Sequence, residues 1–344
     1  MQLSLSKIII STEVLLFLLL FSCGKSSKDV VTGFHKRGEF NGVLLMAKDG
    51  KVIENIALGS GNFGTKKTLT TDTPFYIASL SKPFTATAII LLQQKGLLSY
   101  DDKASKYINE LPVYAKDVTI KELLTHTSGI PDYEPILSNT QGLTNPMVLE
   151  WLKQQKGLKF PSGSQFAYSN SGYIILSLVI EKISGQSYSS FLKQHIFVPT
   201  GMKNTQVYDQ SMSPIKDKAL GYTQKKQPYD YSLLTTGDGG IYSTTEDLYR
   251  FDQALRNFSL INKDNTLLMY TPFTLSNGTT SNYGFGWYIE ESSTGKKIWH
   301  TGGMNGFRAL FWRDIQHNKT IIALTNQGDA FPIDHFLSDL KHTF

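Results

Sequence analysis

Cysteine is nearly missing from this chain: among 344 residues there is one, Cys23. With none after it, the remainder of the protein has neither a disulfide framework nor thiol catalysis. No His-Glu-x-x-His pattern occurs, and the seven histidines (35, 126, 195, 300, 317, 335 and 342) show no metal-ligand spacing, so neither zinc nor another cofactor is expected. No serine has glycine at both −2 and +2, which disfavours a nucleophile elbow. Charge of one sign is also scarce: 34 Lys+Arg against 29 Asp+Glu give +5, without a dense basic block, so nucleic acid is not an expected partner. Long apolar runs are limited to residues 8–21, interrupted by Ser11, Thr12 and Glu13, and shorter than the ~20 residues a spanning helix needs.

That run has a use of its own. Lys7 precedes it and Leu20-Phe21-Ser22-Cys23 ends it, a pattern that resembles the lipobox of bacterial lipoproteins. The resemblance implies a signal peptide at 1–22, lipid modification of Cys23 and a membrane-anchored protein of the bacterial cell envelope, periplasm-facing or surface-exposed. Residues 23–37, opening on the polar stretch 24–29, read as a tether. Hydrophobic content of 40% and aromatic content of 12% suit a globular enzyme with a sizeable core beyond it.

Strand signals lie at both ends of that remainder. Residues 42–48 and 51–58 flank Asp49-Gly50, a strong hairpin turn. Near the C-terminus, 283–291, 296–301, 307–312 and 320–325 read as strands and 334–341 as a helix. Between them, about 97–236, the texture is helical: Thr119 is a cap, Asn145-Pro146 a helix start closed by Gly157, 172–184 a helix ended by Gly185, and 187–196 a weaker one. Thr244 with Asp247 reads as a reciprocal cap for a helix at 244–257. One sheet built from both ends, with an inserted helical lobe, places a cleft at the boundary.

Ser79-Leu80-Ser81-Lys82-Pro83 stands beside that boundary. Pro83 fits only the first turn of a helix, so the helix starts near Ser79, continues through an apolar run that leaves no polar face and stops at Gly96. Residues at i and i+3 share a face, which lets the hydroxyl meet the amine. Ser-x-x-Lys occurs seven times here, so spacing alone selects nothing. Tyr168-Ser169-Asn170 and His300-Thr301-Gly302 supply the context, although Tyr107-Ile108-Asn109 shows that Tyr-x-Asn also arises by chance.

In this order the three motifs resemble the serine β-lactamase and penicillin-binding protein superfamily, in particular class C β-lactamases, DD-peptidases and related esterases. The likeness covers most of the chain after about residue 38, and includes segments 123–131 and 239–243. It implies an α+β, β-lactamase/transpeptidase-like fold, with a mostly antiparallel sheet flanked by helices, in a catalytic domain at 38–344. Ser79 would be acylated, Lys82 would be its proton partner, and Tyr168 would relay protons and later activate water. Asn170, His300, Thr301 and Gly302 would bind substrate, with the N–H groups of Ser79 and Gly303 as oxyanion hole. His126 reads as a packing residue. Histidine at position 300, where β-lactamases of this branch have lysine, points to peptides or amides of D-amino acids, peptidoglycan-derived ones among them, ahead of small esters and then β-lactams. A non-catalytic binding protein on the same fold is the alternative of a different class.

Overall fold

A computed structural model of the protein describes residues 25–137, 139–209, 214–230 and 233–344. The leader and Cys23 lie outside the described residues. Six strands form the main sheet: β1 (Gly42–Lys48), β2 (Lys51–Leu58), β3 (Tyr288–Ser292), β4 (Gly295–Met304), β5 (Phe307–Asp314) and β6 (Lys319–Thr325). Their order is β2-β1-β6-β5-β4-β3, antiparallel throughout, so β1 from the N-terminal end inserts its edge against β6 from the C-terminal end. Asp49 and Gly50 both have positive φ (51° and 75°), the geometry of a tight hairpin whose twist matches its strands.

Helices cover both faces: α1 (Ser27–Lys36), α2 (Lys82–Gln94), α3 (Asn170–Ser184), α4 (Thr245–Arg256) and α5 (Ile333–Lys341). Successive strand residues point to opposite faces, and the core divides accordingly. Leu44, Met46, Leu310, Trp312, Ile321 and Ala323 meet Val31 and Phe34 of α1 and Phe336 and Leu340 of α5. Val43, Leu45, Ala309, Phe311, Ile322 and Leu324 belong to the larger core with α2, α3 and α4. There Phe84 of α2 stacks on Phe251 of α4 at 4.2 Å between ring centroids. Every residue of α2 from Lys82 to Ile90 is buried, as its lack of a polar face implies.

Several local expectations change. The stretch 23–37 is not simply a tether, because α1 begins at Ser27, capped by Ser26 and Asp29 and held to the sheet by Val30, Val31 and Phe34. Asn145 is not the cap of its helix (Asn145–Lys153): Thr144 occupies that position, and the helix ends before Gly157. The Asn145 amide is buried instead, bonding Ser177 Oγ at 2.8 Å and both backbone groups of Thr236. Thr244 does cap α4 by accepting the Asp247 N–H, but the Asp247 carboxylate accepts from Asn204 N and Thr205 Oγ1 rather than reciprocating. The Gly185 stop (φ 68°) and the Thr119 cap are as read, and the Glu122 side chain adds a reciprocal bond to the Thr119 backbone.

Candidate active site

The Ser79 turn is fixed by three neighbours. Strand Phe75–Tyr76 pairs with Ile241–Ser243, and Ile77 N bonds Ile241 O at 3.0 Å, setting the entry direction. A single 3₁₀ turn, Ala78–Ser81, then runs into α2. Ala78 holds a left-handed φ of 48°, a strained choice for alanine immediately before the serine. On the other side lies β4. A Cβ on Gly302 would stand 2.0 Å from Ile77 O, so only glycine lets the serine turn press against this strand.

Lys82 is completely buried, and its Nζ has three oxygen partners: Ser79 Oγ at 3.0 Å, Asn170 Oδ1 at 2.7 Å and the Asp238 carbonyl at 2.9 Å. The amide and carbonyl oxygens accept only, so two N–H bonds are committed to them in either protonation state. The third position, at Ser79, is a proton when the amine is charged and a lone pair when it is neutral. Burial lowers the Lys82 pKa to about 8, against the opposing attraction of Asp238, Glu134 and Asp132. The Tyr168 side chain interacts with the Ser79 hydroxyl, and burial holds its phenol well above the ordinary range. The Lys82 ammonium lies 4.8 Å from the centre of the Tyr168 ring. The structure thus brings Ser79, Lys82, Tyr168 and Asn170 into one constellation, whereas Tyr107 of the chance motif bonds Asp102 at a surface turn.

Ser79, Tyr168 and Asn170 open into a cleft of about 520 Å³ that is also lined by Asp132, Glu134, Tyr288, His300, Thr301 and Gly303. Two features bear on what the cleft can bind. His300 is buried and its ring nitrogens are both engaged: Nδ1 donates to Thr301 O at 2.6 Å, and Nε2 lies 3.0 Å from the Tyr283 hydroxyl. Burial, helped by Lys82, drives its pKa down to about 3, so the imidazole is neutral and offers no charge to a substrate carboxylate. The Asn170 amide is also occupied: Nδ2 donates to Glu134 and, at 3.4 Å, to Asp132, which in turn accepts the Asn170 N–H at 3.0 Å. Burial raises the Glu134 pKa, and raises that of Asp238, beneath Lys82, to about 6.

Asp132, Glu134 and the Asp238 carbonyl were not singled out from sequence. The available signal was position: the two carboxylates directly follow segment 123–131, and Asp238 directly precedes 239–243. His126 stays out of the cleft lining. It is buried, with a pKa lowered by burial and by Lys82 and His300. Among the described residues, no group of three or more His, Cys, Asp or Glu side chains is arranged to hold a metal ion.

Known proteins share this arrangement of elements. A family model described as Beta-lactamase matches residues 28–341. Penicillin-binding protein 4* of Bacillus subtilis is 38% identical over 328 residues, covering 88% of this chain and 72% of that protein. The D-aminopeptidase of Brucella anthropi is 27% identical over 313 residues, covering 86% of this chain and 58% of its own length. The crystal structure of a penicillin binding protein from Bacillus halodurans superimposes with a TM-score of 0.81 at 28% identity, spanning 91% of this chain and 99% of that one. With residues 28–341 matched and the serine, lysine and tyrosine assembled as described, the chain belongs to the Beta-lactamase family and is a serine hydrolase of the β-lactamase and penicillin-binding protein superfamily.

Proposed function

We propose that the protein hydrolyses amides or short peptides of D-amino acids through an acyl-enzyme on Ser79, and that it favours substrates with a free amine near the scissile bond. The observation that carries the chemistry is the three-way coordination of Lys82 Nζ, which directs its only variable position at Ser79 Oγ. Neutral Lys82 takes the serine proton as Oγ attacks the carbonyl carbon. Ser79 and Gly303 both line the cleft, and their N–H groups are assigned to the oxygen on which negative charge grows. Tyr168 remains a protonated phenol until the tetrahedral intermediate collapses. It then donates to the leaving nitrogen and is reprotonated from Lys82, so the serine proton leaves on the amine. Water enters the vacated space, gives up its proton by the reverse route and releases the acid.

Substrate preference follows from charge. Asp132 and Glu134 line the cleft, His300 is neutral, and no lysine or arginine lines it among the described residues. A substrate ammonium is attracted there and a substrate carboxylate is not, which places small esters second and β-lactams third. The D-aminopeptidase relative supports this order by its name. The test is labelling with a fluorophosphonate and with a labelled penicillin, mapped by mass spectrometry, followed by turnover of D-amino-acid amides, D-Ala-D-Ala peptides, p-nitrophenyl esters and nitrocefin. Labelling that persists in Ser79→Ala refutes the nucleophile, and dominant nitrocefin turnover refutes the substrate order.

We further propose that Cys23 carries a lipid anchor in the cell envelope. Only residues 24–26 separate it from α1, which would hold the catalytic domain close to the bilayer. Metabolic labelling with a palmitate analogue marks Cys23 if this is right; a soluble, unlabelled mature protein refutes it.

A further inference from the structure

Tyr168 has no regular element of its own: it lies in the segment before α3, whose first residue is Asn170. A proton-relaying phenol must nevertheless be held to a fraction of an ångström. One residue, 42 positions earlier, touches it from three directions. The backbone oxygen of His126 accepts the Ala167 N–H at 2.9 Å, and His126 Nδ1 accepts the Ser169 N–H at 3.1 Å. The residues on both sides of Tyr168, Ala167 and Ser169, are therefore each tied to His126 through their backbone N–H. The imidazole ring itself lies against the Tyr168 ring, 4.1 Å between centroids and 35° apart in plane.

The cost of this arrangement is visible. His126 adopts a left-handed backbone, φ 57°, a conformation non-glycine residues rarely take. Because Nδ1 accepts an N–H, the neutral ring carries its proton on Nε2, and that buried atom finds no hydrogen-bond partner among the described residues. A residue serving packing alone has no need of a strained backbone and an unsatisfied polar atom, since an apolar side chain fills the same space at lower cost.

We infer that His126 is the positioning residue of Tyr168: it clamps the backbone on either side of the tyrosine and supplies the surface on which the ring rests. This rests on the reading of Tyr168 as the proton relay. The ring of His126 is itself seated between Tyr173 (5.0 Å) and Tyr283 (4.7 Å), so the clamp is anchored to α3 and to the segment entering β3.

Leaving-group chemistry tests it. An amine must be protonated as it departs, whereas p-nitrophenolate leaves unaided, so an error in the position of Tyr168 affects amides selectively. His126→Phe keeps a ring but loses the acceptor. It is expected to lower kcat for a D-amino-acid amide by about 10–100-fold, with KM within about 2-fold, while the p-nitrophenol burst rate falls by less than about 3-fold. His126→Asn, whose side-chain oxygen can replace Nδ1 and whose backbone tolerates positive φ, restores most of the loss. Combined with Tyr168→Phe, His126→Phe makes no further difference, because both act through one phenol. If His126→Phe fails to fold, His126→Gly replaces it, removing ring and acceptor without backbone strain. Equal losses on amide and ester, additive losses in the double variant, or an asparagine variant no better than phenylalanine each overturn the proposal. Tyr168→Phe with normal amide turnover refutes the underlying reading; Tyr168→Phe inactive with His126→Phe normal refutes only the clamp.

Discussion

Asn170 Oδ1 accepts a hydrogen bond from Lys82 Nζ at 2.7 Å, while the nitrogen of the same amide donates to Glu134. The side chain is thereby locked in one orientation, with its acceptor toward the lysine. Lys82 titrates near 8, and only its neutral form has a lone pair for the Ser79 proton. Accordingly kcat/KM should rise tenfold per unit at acid pH and level off above an apparent pKa of about 8. Asn170→Asp places a negative charge against the amine, favours the ammonium and moves this limb to higher pH. A rate profile flat from pH 5 to 9, or an Asn170→Asp limb displaced toward acid, would show that Lys82 is not the base.

Glu134 offers a separate handle on substrate choice. Its carboxylate stands at the cleft wall beside Asp132, in reach of any group that approaches the Asn170 amide. Glu134→Gln removes the charge and retains the acceptor for Asn170. For D-amino-acid amides with a free amine, KM should increase by about 5–10-fold, the range of an ordinary charge-assisted contact, with little change for N-acetylated analogues. Equal effects on both substrate types would remove Glu134 from substrate recognition.

The elements visible in sequence are those with local causes. Asp49-Gly50, the Thr119 and Thr244 caps and the Gly185 stop depend on residues within four positions, and each is found in place. The strand read at 283–291 starts only at Tyr288, because Gly286 takes φ 79° against Lys82 O and Pro83 while Tyr283 turns inward to His300. That turn is dictated by packing against α2, which no local pattern encodes. Likewise, Asn145 looks like a cap, but tertiary contact with Thr236 across 91 residues claims its amide. The three motifs named the reacting groups; the acidic wall beside Asn170 exists only because α3 begins where the segment after 131 passes.

The buried histidines bear on stability in acid. His300 has a folded pKa near 3 against an ordinary value of 6.5, and His126 is also lowered well below that value. Between those limits the unfolded chain binds more protons than the folded one, so stability falls as pH drops below about 6.5. Each histidine contributes a slope of about 1.4 kcal/mol per pH unit while it remains neutral in the fold. Asp238, raised to about 6, acts in the opposite sense between its ordinary 3.8 and 6, binding a proton more readily when folded. Urea unfolding of His300→Gln, which retains an acceptor for Tyr283, should show a shallower loss between pH 6 and 4 than the native protein. Parallel curves for the two proteins would mean that His300 is protonated in the fold.

Far from the cleft, a different charged group fixes α4 to the sheet. Asp252, fully buried, accepts from Arg313 Nε at 2.6 Å, from Arg256 Nε at 3.0 Å and from Thr320 Oγ1 at 2.8 Å. Arg313 is fully buried too and also bonds the Tyr270 hydroxyl. Asp252→Ala would leave two guanidinium groups facing each other without a counter-charge, which costs about 3–5 kcal/mol when such a pair is broken. Asp252→Asn keeps the shape and one acceptor but not the charge, and should cost less than the alanine variant. Because none of these residues lines the cleft, kcat for the folded fraction should be unchanged in both. Denaturant unfolding of the two variants beside the native protein measures the loss. A deficit below about 1 kcal/mol for Asp252→Ala, the range of an exposed pair, would show that water reaches the arginines and that the cluster is not what holds α4 in place.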